Sequence, residues 1–203
     1  MAMAISNASK AGVAIFIGAV QFSIFLILAE IYYPGYNVST NYVSDLGANC
    51  PTSGACAIYQ PTSMIFNVSI ALLGLLILLG AYFLQRAFHH TPATVMVALS
   101  GIGALGVGLF PETTGFVHGI FSLIVFLFAG LTALTTARFQ KKPMFYFSII
   151  LGVLTLVALL LYVADTYLGL GPGGMERMVV YPPLVWSIGF GGHMMATEDW
   201  TKA

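Results

Sequence analysis

The chain has 203 residues, of which 59% are hydrophobic and 7% charged, and its formal net charge is zero. A water-soluble domain carries roughly 25% charged residues, so these charges are too few to cover a water-facing surface of this size. The composition predicts an integral membrane protein. The charge is balanced and no nucleic-acid-binding motif is present, so we expect no DNA or RNA partner.

Six apolar runs are each long enough to cross a bilayer as a helix, which takes about 20 residues. Their apolar character is continuous, whereas the strands of a membrane barrel alternate over about 10 residues. The first run is longer than a signal-peptide core and follows a single basic residue, so we expect it to be retained. The predicted spans are about 11–33, 61–84, 92–110, 115–137, 144–168 and 175–196. They predict an all-α, polytopic membrane protein, a six-helix transmembrane bundle with short loops that forms one domain over residues 1–203.

The basic residues predict the orientation of the bundle. With six spans both termini lie on one side, and all but one of the seven basic residues fall there: Lys10, Arg86, Arg138, Lys141, Lys142 and Lys202. By the positive-inside rule this side is cytoplasmic, so we expect a multi-pass protein of the cell membrane with both termini in the cytoplasm. The acids show the reverse distribution, because only Glu198 and Asp199 fall on the cytoplasmic side. The acids at the outer helix ends are Glu30, Asp45, Glu112, Asp165 and Glu176.

The first outer loop, about residues 34–60, is the longest and contains both cysteines, Cys50 and Cys56. Outside the cytoplasm two cysteines at this spacing can form a disulfide that closes a small loop. The alternative is a pair of free thiols.

The third span contains Gly101-Ile-Gly-Ala-Leu-Gly106, which matches a dinucleotide-binding pattern. We reject that interpretation because no strand precedes the motif and it lies inside a membrane span. Gly101, Ala104 and Gly108 instead make a face of small residues that lets a neighbouring helix approach closely. The same face is a possible contact with partner subunits or with a second copy of the chain.

Segments far apart in sequence bring polar residues to the outer face. Ionisable groups near membrane depth are costly, so they tend to be paired or functional. Arg177 is the lone outer cation, and we expect it to pair with one of the outer acids. The candidate site comprises Asn41, Ser44, Asp45, Glu112, His118, Glu176, Arg177 and Tyr181.

His118 leaves several roles open. A histidine near carboxylates can be a metal ligand, a general base or a proton relay, and it can equally be a structural side chain that pins the loop. Ser44, Asp45 and His118 have the residue types of a hydrolase triad, which occur together by chance in most proteins. Metal binding by Asp45, Glu112, His118 and Glu176 is a further alternative, although the spacing matches no strong ligand pattern. The sequence assigns no catalytic residue, metal or cofactor.

The order of the outer motifs resembles a known family. These motifs are Asn41-x-x-Ser-Asp-Leu-Gly47, Phe66-Asn-x-Ser69, Gly106-x-Gly-x-Phe-Pro-Glu112 with His118, and Glu176-Arg-x-x-x-Tyr-Pro182 with Trp186. They resemble the archaeal and bacterial membrane family called domain of unknown function 998, over about residues 41–186. The resemblance implies a polytopic membrane protein with about six spans and brings no activity with it. The segment from Cys50 to Cys56 departs from the family pattern.

Three functions are compatible with these features. In the first, an outward-facing polar pocket binds or processes a membrane lipid or another amphiphilic molecule. In the second, the polar residues lock the loops of a structural or accessory subunit of a larger membrane complex. The third is a small ion-coupled transporter, which ranks last because the chain shows no internal repeat and its acids lie at one face instead of the midplane.

Overall fold

The structure is a computed structural model that describes residues 5–51 and 54–196. Over these residues the regular elements are helical, with no β-strand. The helices are α1 (Asn7–Tyr32), α2 (Thr62–Phe88), α3 (Thr91–Leu109), α4 (Phe116–Thr136), α5 (Met144–Val163) and α6 (Gly171–Ala196). Three short 3-10 turns lie at Ser44–Leu46, Glu112–Thr114 and Ala137–Phe139. The prediction of an all-α six-helix bundle is confirmed.

Five of the helices are long and apolar enough to cross a membrane, namely α1, α2, α3, α4 with its 3-10 extension, and α5. The sixth, α6, has 26 residues and is less apolar, because it carries Glu176, Arg177, Pro182 and Pro183. At 1.5 Å per residue it is about 39 Å long, which exceeds the roughly 30 Å of hydrocarbon. The chain is a multi-pass membrane protein.

Four predicted span boundaries differ from the helices by four or five residues. The first span, predicted to begin at residue 11, begins as α1 at Asn7, and the second, predicted to end at residue 84, ends as α2 at Phe88. The span predicted to reach residue 168 ends as α5 at Val163, because Asp165, Leu168 and Gly169 have positive φ angles that a helix does not accommodate. The span predicted to begin at residue 175 begins as α6 at Gly171.

The helices form a closed ring. Each helix packs against its neighbours in sequence, and α1 also packs against α6. We call the end at which α1 ends and α2 begins the polar end, and the opposite end the basic end. Both ends of the described chain lie at the basic end, because Gly12 of α1 lies against Gly191 and Met194 of α6.

Glycines allow the ring to close tightly. A Cβ on Gly101 would lie 3.1 Å from the carbonyl oxygen of Gly74 on α2. A Cβ on Gly108 would lie 2.5 Å from the carbonyl oxygen of Asn67, also on α2. Gly103 and Gly106 face α4 in the same way. The predicted small-residue face of α3 therefore packs against this chain's own helices, and its contact with a second copy or another subunit stays a prediction.

The long loop between α1 and α2 folds down over the polar end. The Gly47 carbonyl accepts hydrogen bonds from the Ser63 hydroxyl at 2.5 Å and the Asn67 side chain at 3.3 Å. Cys50 and Cys56 form a disulfide beside the backbone bridge between Asn49 and Ala57. These contacts fix the loop on α2 and bring Ser44 and Asp45 over the ring of helices.

The basic end carries its charge beside aromatic rings. The described basic residues there are Lys10, Arg86, Arg138, Lys141 and Lys142. Four of them lie over aromatic rings, with 5.4 to 5.8 Å between the charged group and the ring centroid. The pairs are Lys10 with Phe83, Arg86 with Tyr82, Arg138 with Phe139 and Lys142 with Tyr146. Lys202, Glu198 and Asp199 lie outside the described residues. Paired cations and aromatic rings suit the boundary between lipid and water.

Candidate functional site

Six of the polar residues predicted as one site form two separate groups at the polar end, and Asp45 and Tyr181 belong to neither. The first surrounds Arg177 and ties α1, the first loop and α6 together. The second lines a cavity between α4 and α5. Residues 176 and 177 belong to different groups because successive side chains on a helix point about 100° apart.

The first group, which we call the arginine cluster, satisfies nearly every donor of Arg177. One terminal nitrogen donates to Glu30 at 2.8 Å and to the Tyr36 hydroxyl. The other donates to three carbonyl oxygens, at 3.0 Å to Val38, 3.1 Å to Asn41 and 2.9 Å to Gly173.

The side chain of Arg177 is thus buried against its own chain, with 5% of the residue exposed. The prediction that it pairs with an outer acid is confirmed, and that acid is Glu30. Asn41 belongs to this cluster through its backbone. Tyr181 lies one turn further along α6 and packs on the apolar core.

Asp45 holds the first loop in shape. Its Oδ2 accepts hydrogen bonds from the Asn41 side chain at 2.8 Å, the Tyr42 backbone at 3.1 Å and the Asn49 side chain at 3.2 Å. Burial raises the pKa of this carboxyl, and the hydrogen bonds from Asn41 and Tyr42 and the charge of Arg177 oppose the rise. Because the Ser44 hydroxyl donates to Glu112, the triad of Ser44, Asp45 and His118 is not assembled.

Glu112 lies where the chain reverses between α3 and α4. Its Oε1 accepts a hydrogen bond from the Ser44 hydroxyl, and its Oε2 accepts one from the Cys50 backbone at 3.3 Å. Burial raises the pKa of the Glu112 carboxyl, the Ser44 hydrogen bond lowers it, and the charge of Asp45 raises it further. The disulfide-bonded segment thus helps to position a half-buried carboxyl.

His118, in the first turn of α4, is held in one orientation. Its Nδ1 lies 2.8 Å from the carbonyl oxygen of Phe110. A carbonyl only accepts, so the proton is on Nδ1 and the neutral ring keeps a lone pair on Nε2. Only 8% of His118 is exposed, and Nε2 makes no hydrogen bond within the described parts of the chain. This nitrogen is available to a ligand.

Glu176 of α6 is 3% exposed, and its Oε2 accepts a hydrogen bond from the Val43 backbone. Arg177 forms its ion pair with Glu30 and not with Glu176. Among the residues that the structure describes, Arg177 with Glu30 is the one ion pair. Glu176 is therefore a buried carboxyl without an ion-pair partner in that part of the chain, and a carboxyl in such a place is costly to ionise.

Ser44, Glu112, His118 and Glu176 meet at a cavity of about 360 Å³, which we call the polar cleft. Its other polar lining residues are Tyr42, Ser122 and Tyr162, and its apolar wall is made of Leu123, Phe126, Leu159 and Val163, with Gly119 beside them. Gly119, Leu123 and Val163 are exposed on the outside of the bundle. The cleft therefore opens sideways, towards the side of the protein that contacts lipid.

A second, largely apolar cavity of about 90 Å³ lies inside the ring of helices. It shares Ser44, Ser122, Phe126 and Glu176 with the polar cleft, so the two spaces adjoin. From there it extends along the core to Trp186 and Ser187. The ionisable groups thus lie at one end of a space whose remainder is largely apolar, with Ser100, Thr132 and Ser187 as its further hydroxyl-bearing residues.

Sequence reasoning overlooked four contributors to these two groups. Tyr42, Ser122 and Tyr162 line the cleft, while Tyr36 binds Arg177. Ser122 lies four residues after His118, so helical spacing would have placed both on one face. Tyr162 lies seven residues after Thr155 and fourteen after Ser148, so helical spacing would have placed these three side chains on one face of α5.

Within residues 5–51 and 54–196, no group of three or more His, Cys, Asp or Glu side chains is placed to hold a metal ion. The predicted alternative of four ligands fails because Asp45 directs its hydrogen-bonded oxygen to the loop, away from His118. The cleft offers instead two carboxyls, one imidazole nitrogen and hydroxyl groups.

Comparison with known proteins gives one match. The family described as protein of unknown function, DUF998, matches residues 16–193, nearly the whole helical part of the chain. Neither the curated proteins nor the solved structures include a match.

Proposed function

This chain belongs to the DUF998 family, and from that premise we propose that it is a membrane protein whose polar cleft binds an amphiphilic molecule taken from the surrounding bilayer. One observation supports this function above all. A cavity of about 360 Å³ has hydrogen-bonding groups at one end, a hydrocarbon wall at the other, and an opening on the flank of the bundle.

The chemistry of the cleft suits the two parts of an amphiphile. A polar head group would contact Glu112, His118 and Ser44, which are held in place by hydrogen bonds to the backbone or to one another. The apolar part would lie against Phe126 and Leu159. Binding sites of small molecules are typically apolar pockets with a few fixed polar groups.

The opening on the flank provides the route of access. Leu123 and Val163 are exposed on the outer surface of α4 and α5, and in a bilayer this surface contacts lipid. A molecule could move sideways from the bilayer into the cleft and keep its hydrocarbon part out of water. This geometry supports an amphiphile more than a water-soluble metabolite.

We further propose that the protein lies in the cell membrane with the polar end, and hence the cleft, on the non-cytoplasmic side. The support is the charge distribution, since the described Lys and Arg residues other than Arg177 lie at the basic end. The disulfide between Cys50 and Cys56 at the polar end agrees with an oxidising compartment.

Blocking the cleft tests the proposed function. Gly119 lines the cleft, and a Cβ there has no neighbouring atom within 4 Å, so Gly119→Leu fills the space without a backbone clash. Gly192→Leu is the control, because Gly192 is a second helical glycine with open space around its Cβ and lies away from the cleft.

The measurement is photo-crosslinking of an alkyl glucoside that carries a diazirine beside its head group, with the protein in lipid nanodiscs. We expect labelling of the α4 and α5 peptides that line the cleft, saturable and competed by unlabelled glucoside. Gly119→Leu should lose most of this labelling, and Gly192→Leu should keep it. Equal, non-saturable labelling of all three proteins would show that the cleft is not a binding site.

A further inference from the structure

We propose that the polar cleft selects an amphiphile with a cationic amine head group and discriminates against anionic head groups such as phosphates. The inference rests on the proposed function, because it names the class of molecule that the same cleft takes. It follows from the charge, the aromatic walls and the unpartnered groups of the cleft.

Among the described residues, the cleft is lined by acidic side chains and by no strongly basic one. Two carboxyls, Glu112 and Glu176, line it, and its other polar lining groups are hydroxyls and one imidazole. None of the residues lining it is a Lys or Arg. An ammonium group placed there would pair with these carboxyls and favour their ionised form, and neither carboxyl makes an ion pair among the residues described.

Arg177 makes no hydrogen bond to either of these carboxyls. It is the one Lys or Arg of the described chain at the polar end, and its two terminal nitrogens already donate to Glu30, Tyr36 and three carbonyl oxygens. These partners lie on α1, the first loop and the start of α6, outside the cleft. An anionic head group in the cleft would therefore meet two carboxyls and no available cation, which is unfavourable.

The aromatic lining favours the same class of head group. Tyr162 packs edge-on against Tyr42 and against Phe126, with ring centroids 6.1 Å and 6.2 Å apart. All three side chains line the cleft. Aromatic faces attract cations, and the attraction strengthens when the cation is removed from water.

His118 supplies an acceptor for an N–H group of the ligand. Its Nδ1–H is bound to the Phe110 carbonyl, so the free Nε2 of the neutral ring can only accept. Because more than nine-tenths of this side chain is buried and it lines the cleft, a ligand donor can reach it only from within the cavity. A primary ammonium has three donors, enough for Nε2 and both carboxyls.

Three probes with the same chain and different head groups test the selection. They are octylammonium, octyl glucoside and octyl phosphate, titrated into the protein in phosphatidylcholine nanodiscs, with empty nanodiscs subtracted. We expect octylammonium to bind at least about tenfold more tightly than octyl phosphate, a difference of about 1.4 kcal/mol, and more tightly than octyl glucoside.

Charge-removing variants connect the selectivity to the cleft. Glu112→Gln can still accept the Cys50 hydrogen bond and bind Ser44, and it should weaken octylammonium binding about fivefold while octyl glucoside changes less than about twofold. Glu176→Gln should act in the same direction, so the result does not depend on the folding of one variant. Asp165→Asn removes an exposed acid from the same end but outside the cleft, and should leave octylammonium binding unchanged.

The outcomes separate the two proposals. If none of the three probes binds saturably, both the proposed function and this inference fail. If octyl glucoside or octyl phosphate binds as tightly as octylammonium, the cleft still binds an amphiphile and the inference alone is overturned. Folded Glu112→Gln and Glu176→Gln proteins that keep full octylammonium affinity would overturn it as well.

Discussion

Arg177, near the start of α6, stabilises the fold by joining that helix to α1 and to the first loop. Its guanidinium donates to Glu30 of α1, to Val38 and Asn41 of the first loop, and to Gly173 of its own helix. Three chain segments therefore share one cation. Removing the arginine would leave a carboxylate and several carbonyl oxygens buried without donors.

We expect Arg177→Ala to lower the stability of the folded protein by about 3 kcal/mol or more, which is typical when one member of a buried ion pair is removed. Lys141→Ala, which removes an exposed cation at the basic end, should change it by less than about 0.5 kcal/mol. Thermal unfolding of the two variants in one detergent makes the comparison. Indistinguishable melting temperatures would contradict the role given to the arginine cluster.

The neighbouring residue, Glu176, faces a different part of the protein from Arg177. Arg177 points to α1 and the first loop, whereas Glu176 accepts a hydrogen bond from Val43 and lines the cleft. A rotation of about 100° between successive side chains separates a structural contact from a candidate binding group. A single adjacent pair therefore contributes to both groups at the polar end.

The packing of α6 against α1 depends on close backbone contact. Gly12 of α1 and Gly191 of α6 face each other so closely that a Cβ on Gly191 would lie 2.7 Å from the Gly12 carbonyl oxygen. Helices in membranes gain much of their association from packing of this kind at small residues. The contact closes the ring at the basic end, while the arginine cluster closes it at the polar end.

Two adjacent glycines of α6 test this contact. Gly191→Ala should destabilise the protein by about 1 to 3 kcal/mol, because the added methyl group meets backbone atoms that can move only if the helices separate. Gly192→Ala should be neutral or slightly stabilising, since its Cβ would meet no atom within 4 Å and alanine is the better helix former. Thermal unfolding of both variants measures the difference, and equal effects would show that the two helices can separate at little cost.

The molecule as a whole is electrically asymmetric. Five described basic residues lie at the basic end, each exposed or partly exposed, whereas Arg177 at the polar end is buried in an ion pair. The positive-inside rule acts on basic residues in short loops near the spans, which describes the loops between α2 and α3 and between α4 and α5. The expected topology follows from this asymmetry.

Reporter fusions at the carboxyl terminus measure that topology. We expect a fused green fluorescent protein to fluoresce and a fused alkaline phosphatase to be inactive, because both outcomes require a cytoplasmic terminus. The opposite pair of results would invert the proposed orientation and place the cleft on the cytoplasmic side.

Properties that depend on local composition were predictable without the structure. Six helices follow from apolar runs of membrane length, and the separation of acids from bases follows from counting charges along the chain. Cys50 and Cys56 could be paired because they are the two cysteines of one loop. The residue types of the cleft, Ser44, Glu112, His118 and Glu176, were also recognised as polar groups at one end.

The division of the polar residues between the arginine cluster and the polar cleft was decided by the tertiary structure. Arg177 binds Glu30 although 147 residues separate them, and Ser44 binds Glu112 across 68 residues. The rotation of each helix about its axis and the path of the first loop determine these pairs, and neither follows from an apolar run that is hydrophobic on all sides. For the same reason the opening between α4 and α5, where the proposed ligand would enter, leaves no trace in the sequence and exists only once the ring of helices is closed.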